Sequence, residues 1–107
     1  MLNDIFAAEL DANGIAYERE VRAIPSRKFA YDFYINRKHF DDAELLIEIQ
    51  GGTFMRKGGH NTGVGIQRDC EKSNLATLAG YDILHFTTQM VEDGTALDHV
   101  KQWLSAT

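Results

Sequence analysis

Apolar residues recur along the chain with two periods, and each change of period marks an element. From 3 to 13, Ile5, Phe6 and Leu10 give a helical stripe, Asn3 stands where a cap is expected, and Asn13-Gly14 supplies a stop. Residues 16–23 alternate loosely, as a strand does, and end at the Ile24-Pro25-Ser26 turn. Between 29 and 36 the alternation is clean: Phe29, Tyr31, Phe33 and Ile35 share one face, and Ala30, Asp32, Tyr34 and Asn36 the other. Residues 44–50 are a third strand, rich in branched aliphatics. Asp41-Asp42 before it suits the connection of an antiparallel hairpin. A helix is expected from 66 to 79, closed by Gly80, and a strand over 81–87. Thr95 and Asp98 form a capping-box-like start to a last helix, whose apolar face is Leu97, Val100, Trp103 and Leu104. The order αβββ–loop–αβα predicts an α/β fold, with a mixed sheet flanked by helices.

Length and composition fit that picture. The 107 residues are enough for one core, so a single domain over 1–107 is expected. No segment approaches the roughly 20 apolar residues of a membrane span, and no signal-peptide pattern opens the chain. The lone cysteine, Cys70, is placed in the second helix and expected to pack inward; it cannot form an internal disulfide or a cysteine-based zinc site. A reducing, cytoplasmic setting is the expectation.

The net charge of −5 reads at first as evidence against a nucleic-acid partner. It is unevenly spread. Residues 17–40 hold Arg19, Arg22, Arg27, Lys28, Arg37 and Lys38 against Glu18, Glu20 and Asp32. Residues 51–68 hold Arg56, Lys57 and Arg68 with no acid, and six of the nine glycines fall between 51 and 65. A long glycine-rich basic loop in a compact domain is usually functional or disordered. An acidic chain can therefore still show phosphate a basic surface.

The unusual position is Glu48, in the run Leu45-Leu46-Ile47-Glu48-Ile49-Gln50. Period two puts Leu46, Glu48 and Gln50 on one face. An ionised carboxylate on a buried strand costs several kcal/mol without compensation. Asp32 interrupts the preceding strand in the same way, and pairing of the two strands would bring the acids to one end of the hairpin. Two close carboxylates repel unless one is protonated or a cation lies between them. A hard divalent cation, Mg²⁺ with Mn²⁺ as substitute, is the natural partner. The alternative is that one acid pairs with an arginine and the other sits at a strand end.

The series Asp32…Glu48-Ile49-Gln50 resembles the Asp…(Asp/Glu)-x-Lys core of the PD-(D/E)xK nucleases, which have the restriction-endonuclease-like fold. Arg27 to Phe33, Ile47 to Gly52, Gly59-His60, Asp69 to Asn74 and Gly80 to Thr87 extend the likeness. They are similar to small phage and prophage endonuclease-like proteins akin to very-short-patch repair endonucleases and the DUF559 group. The likeness runs from about residue 17 to 104.

The resemblance implies a Mg²⁺-dependent DNA endonuclease in phage replication, repair or recombination, acting in the bacterial host cytoplasm if phage-encoded. It makes Asp32, Glu48 and the Ile49 carbonyl the metal ligands, and leaves products with a 5′-phosphate and a 3′-hydroxyl. Gln50 departs from the pattern, because an amide neither accepts a proton from water nor carries positive charge. It could still orient the water. The base would then be solvent, a substrate phosphate or His60, unless His60 is simply an exposed loop residue. Glu9 is a further candidate for the site, with Glu20 as a rival. Arg27, Lys28, Arg56, Lys57, Arg68 and Lys72 are the candidate phosphate contacts. Arg68 and Lys72 could instead pair with Asp69 and Glu71. His39, His85 and His99 are read as surface or packing residues, and Tyr31, Phe33 and Trp103 as core.

Gln50 keeps a second function open, a non-catalytic nucleic-acid-binding module with the same fold. DNA is the expected partner in either case, a homodimer is plausible for two-strand cleavage, and no membrane is expected.

Overall fold

The structure is a computed structural model, described here for residues 1–38, 40–50 and 63–105. Helix α1 (Leu2–Ala12) leads into β1 (Glu18–Val21), β2 (Tyr31–Asn36) and β3 (Glu44–Gln50); α2 (Gly63–Leu78), β4 (Asp82–Thr87), α3 (Thr88–Glu92) and α4 (Thr95–Ser105) follow. The strands form one open mixed sheet in the order β1-β2-β3-β4. The first two pairings are antiparallel, and β3–β4 is parallel with α2 in the crossover. Among the described residues no helix is long and apolar enough to cross a membrane.

Each face of the sheet has its own core. On one face Phe33, Ile35, Leu45, Ile47 and Phe86 pack against Phe6, Ala7 and Leu10 of α1, Val91 of α3, and Ala96 and Val100 of α4. The rings of Phe33 and Phe86 meet Phe6 edge-on at 5.3 and 5.8 Å. On the other face Leu46 packs with Ala76 of α2 and with Ile24, with Tyr34, Leu75, Tyr81 and Ile83 around them. The period-two reading of 44–50 therefore holds, with 45, 47 and 49 on the α1 side and 46, 48 and 50 on the α2 side.

Several sequence expectations need correction. Ile5 is exposed, and Ala7 takes its place in the stripe of α1. Met1, without a side-chain bond, stands at the helix start in place of Asn3. The first two strands are shorter than the alternation suggested. Cys70 is exposed rather than packed inward, because α2 turns Lys72 and Ala76 to the sheet. Tyr31 leaves the face of Phe33 and Ile35 and joins Phe29 on the α2 side, where its hydroxyl donates to the Lys72 carbonyl at 2.8 Å. The short α3 was not anticipated; Thr87 caps it by accepting the Met90 amide. Thr95 is the first residue of α4 rather than its cap, and the Asp93 carboxylate accepts its amide at 2.9 Å.

The glycine stops behave as expected. Gly14 and Gly80 have φ of 69° and 97°, left-handed values that cost glycine little. The residue after each donates back to the helix, Ile15 to the Leu10 carbonyl and Tyr81 to the Ala76 carbonyl, both at 3.0 Å. Trp103 is half-buried. Arg37 lies over its ring at 4.4 Å and donates to its carbonyl, and its indole N–H donates to Asp82 at 2.7 Å, tying α4 to the sheet.

Candidate functional site

The β2–β3 ladder pairs Phe33 with Ile47, Tyr34 with Leu46, Ile35 with Leu45 and Asn36 with Glu44. One step further along, carboxylates take over. The Asp32 amide donates to Glu48 Oε2 at 3.0 Å, and the Ile49 amide donates to Asp32 Oδ2 at 2.8 Å. Each acid thus receives a main-chain N–H from the opposite strand, which satisfies donors that a buried strand could not leave open. This exchange brings the two acids to one place. It is also where Tyr31 changes sides.

Lys72 of α2 closes the group from above. Its ammonium donates to Glu48 Oε1 and to the Ala30 carbonyl, both at 2.8 Å, and lies 5.2 and 4.9 Å from the ring centres of Phe29 and Tyr31. Lys72 and Glu48 are each only 9% exposed, so this is a buried ion pair. Lys72 was expected among surface phosphate contacts; it is turned inward instead. Burial pushes the Glu48 carboxyl above its ordinary value, and the neighbouring Asp32 charge adds to the rise against the opposing pull of Lys72.

Beyond Glu48 the polar array continues. β4 sets His85 beside Glu48, and Gln50 beside Thr87. The Gln50 amide nitrogen is 3.2 Å from His85 Nδ1, and Ser73 Oγ is 2.6 Å from His85 Nε2. The crowded ring is harder to protonate than a free imidazole; Lys72 adds to this effect and Asp69 opposes it. His85, read from the sequence as a surface or packing residue, is exposed, yet its ring joins this array. Only the parallel register of β3 and β4 brings residues 50 and 85 together.

The other candidates are scattered. Arg27 pairs with Glu71, while Lys28 and Arg68 are exposed. Glu9 is half-buried, and its Oε1 is shielded from water without a hydrogen-bond partner. Among the described residues no group of three or more His, Cys, Asp or Glu side chains gathers, so Glu9 does not complete a three-acid cluster with Asp32 and Glu48. Glu20 falls opposite Asp32 in the β1–β2 register, on an exposed strand, with a left-handed φ of 56°. His39, Arg56, Lys57 and His60 lie outside the described residues. His99 stacks obliquely on Phe86 at 5.9 Å, a packing role.

The donor set suits a hard cation. A carboxylate offers about four lone-pair sites; Asp32 uses one for the Ile49 amide, and Glu48 uses two, for Lys72 and the Asp32 amide. Mg²⁺ takes one or two carboxylates and keeps water or substrate oxygens in its remaining positions, so it needs no third acid. Compared with protein-family models, curated proteins and solved structures, the chain matches none.

Proposed function

We propose that the chain is a divalent-cation-dependent DNA endonuclease with a restriction-endonuclease-like fold of PD-(D/E)xK type. The observation that carries this reading is the mutual capture of strand amides by Asp32 and Glu48, with the Lys72 ammonium 2.8 Å from Glu48. A structural ion pair needs one acid for one lysine. Here a second acid stands beside the pair, and the excess negative charge is what a divalent cation would offset.

Asp32 and Glu48 would hold Mg²⁺ or Mn²⁺, helped by the Ile49 carbonyl. When bound, such an ion supplies a Lewis acid for the phosphoryl oxygen and lowers the pKa of its water. Lys72 answers the departure at Gln50: the fixed positive charge missing from β3 comes from α2. Held by the Ala30 carbonyl and two aromatic faces, that ammonium keeps Glu48 oriented. Gln50 contributes hydrogen bonding, and Lys28 and Arg68 offer exposed charge to the phosphates on either side. His60 as candidate base and Arg56 and Lys57 as candidate phosphate contacts belong to the same proposal, and a second copy of the chain would allow both strands to be cut.

The test is cleavage of single-stranded, duplex, mismatched, flap and four-way-junction DNA in Mg²⁺, with Glu48→Gln in parallel. Wild type should cut at least one substrate and Glu48→Gln none. Cleavage that survives the substitution, or no cleavage by wild type in Mg²⁺ or Mn²⁺, overturns the reading. The amide at Gln50 favours one rival, a non-catalytic module. That module would bind DNA equally well with and without the divalent ion.

A further inference from the structure

We propose that His85 is a positioning residue: it accepts a Gln50 amide proton at Nδ1, donates from Nε2 to Ser73 Oγ, and so fixes which end of the Gln50 amide faces the carboxylate pair. The inference rests on the nuclease reading above and adds His85 and Ser73, which that reading does not use. Three elements contribute to the array: Gln50 from β3, His85 from β4 and Ser73 from α2. The distances are 3.2 Å from Gln50 Nε2 to Nδ1 and 2.6 Å from Nε2 to Ser73 Oγ.

The chemistry of the three groups fixes the direction of the chain. A neutral imidazole has one donor and one acceptor nitrogen, whereas an amide nitrogen only donates. Nδ1 facing the Gln50 nitrogen must therefore be the acceptor, and Nε2 must carry the proton toward Ser73. A serine hydroxyl accepts and donates, so it tolerates this tautomer. A primary amide has its oxygen and nitrogen on opposite sides of one carbon. Holding the nitrogen on His85 therefore turns the carbonyl oxygen away from the ring. On β3 Gln50 shares the α2-side face with Glu48, two residues earlier. A carbonyl fixed on that face accepts a hydrogen bond from water and aims the water's lone pair elsewhere; a free side chain samples both orientations. In the opposite tautomer the amide would reverse and present N–H groups, which bind a phosphate oxygen and repel the hydrogens of water.

The experiment pairs a structural readout with a kinetic one on the full chain. Nitrogen-15 NMR should show His85 protonated at Nε2 and bare at Nδ1, with a coupling from Nδ1 to the Gln50 side-chain amide. Ser73→Thr should preserve that pattern, and Ser73→Ala should leave a mixture of tautomers. With the cleaved DNA from the panel, His85→Ala should lower kcat about 10–100-fold, as loss of a supporting partner does at metal sites, with little change in KM. His85→Asn, which can restore an acceptor to Gln50, should recover part of that loss. In a Gln50→Ala background His85→Ala should add nothing further.

Protonation at Nδ1 overturns the proposal, as does a His85→Ala loss that is undiminished when Gln50 is already alanine. In both cases the nuclease reading stands, provided wild type cuts and Glu48→Gln does not. A wild type that cuts no substrate overturns the nuclease reading, and the catalytic role of the array with it, whatever the tautomer.

Discussion

The two faces of the sheet are built by opposite rules. On the α1 side three helices cover a core of Phe6, Phe33, Phe86 and branched aliphatics. On the α2 side one helix covers a smaller apolar cluster, and beside it lie a buried ion pair, a second acid and a histidine with both nitrogens engaged. Removing apolar surface from water stabilises the first face at about 25 cal/mol per Å². The second holds charges whose desolvation roughly cancels their attraction. One face keeps the chain folded, and the other holds buried charge that stability alone would not select.

The largest effect should follow from touching the acids. Asp32→Asn should reduce DNA cleavage to background while circular dichroism and the unfolding transition stay cooperative, because the amide oxygen can still accept the Ile49 N–H. Cleavage by Asp32→Asn at the wild-type rate would break the division between the faces.

On the opposite face, Phe33→Ala should cost about 3–5 kcal/mol in chemical denaturation, a large part of the roughly 5–15 kcal/mol of a typical domain. Phe33 is fully buried and meets Phe6 and Tyr17. The folded fraction should retain its cleavage rate.

Lys72→Met sharpens the contrast, since it leaves Glu48 buried without its ion partner. It should cost about 3–5 kcal/mol, whereas Lys72→Met with Glu48→Gln, whose amide oxygen still accepts the Asp32 N–H, should recover most of that loss. A double variant as unstable as the single one would mean that the ion pair itself holds the fold together.

The smallest effects concern pH, and their signs oppose. The Glu48 carboxyl is raised by burial and by Asp32. Its contribution is therefore fully present below about 4.5, its ordinary value, and is lost as pH rises through the raised pKa. Without divalent ions, Glu48→Gln should flatten that decline in denaturation curves taken between pH 4 and neutrality. The His85 ring is pushed down by burial, so its contribution is present above about 6.5 and lost as pH falls toward the lowered pKa. His85→Asn should remove that acid-side loss.

Much of the α1 side was legible from spacing. Phe6, Leu10, Leu45, Ile47 and Val100 fall at helical or strand periods that local sequence displays, and Gly14 and Gly80 announce helix ends. Ile5 was misplaced because a stripe of three residues does not fix the helix's rotation. The α2 side was only half legible. Asp32 and Glu48 stand out as charges in apolar strands, and period two gives the face of Glu48. Three placements depend on tertiary geometry that no local pattern records: Lys72 turning inward, Tyr31 crossing over at the opened ladder, and His85 meeting Gln50. Helix α2 offers little apolar periodicity beyond Leu75 and Ala76, so Cys70 could not be oriented from its neighbours. The five residues of α3 are too few to show a helical period.

The most consequential property proposed for the α2 face is that Asp32 and Glu48 together hold a divalent cation. Calorimetric titration of Mn²⁺ into the full chain, with a DNA from the panel present, tests it most directly. A divalent site at the pair predicts saturable binding by wild type that Asp32→Asn abolishes. No uptake by wild type, or uptake that Asp32→Asn leaves unchanged, would contradict it.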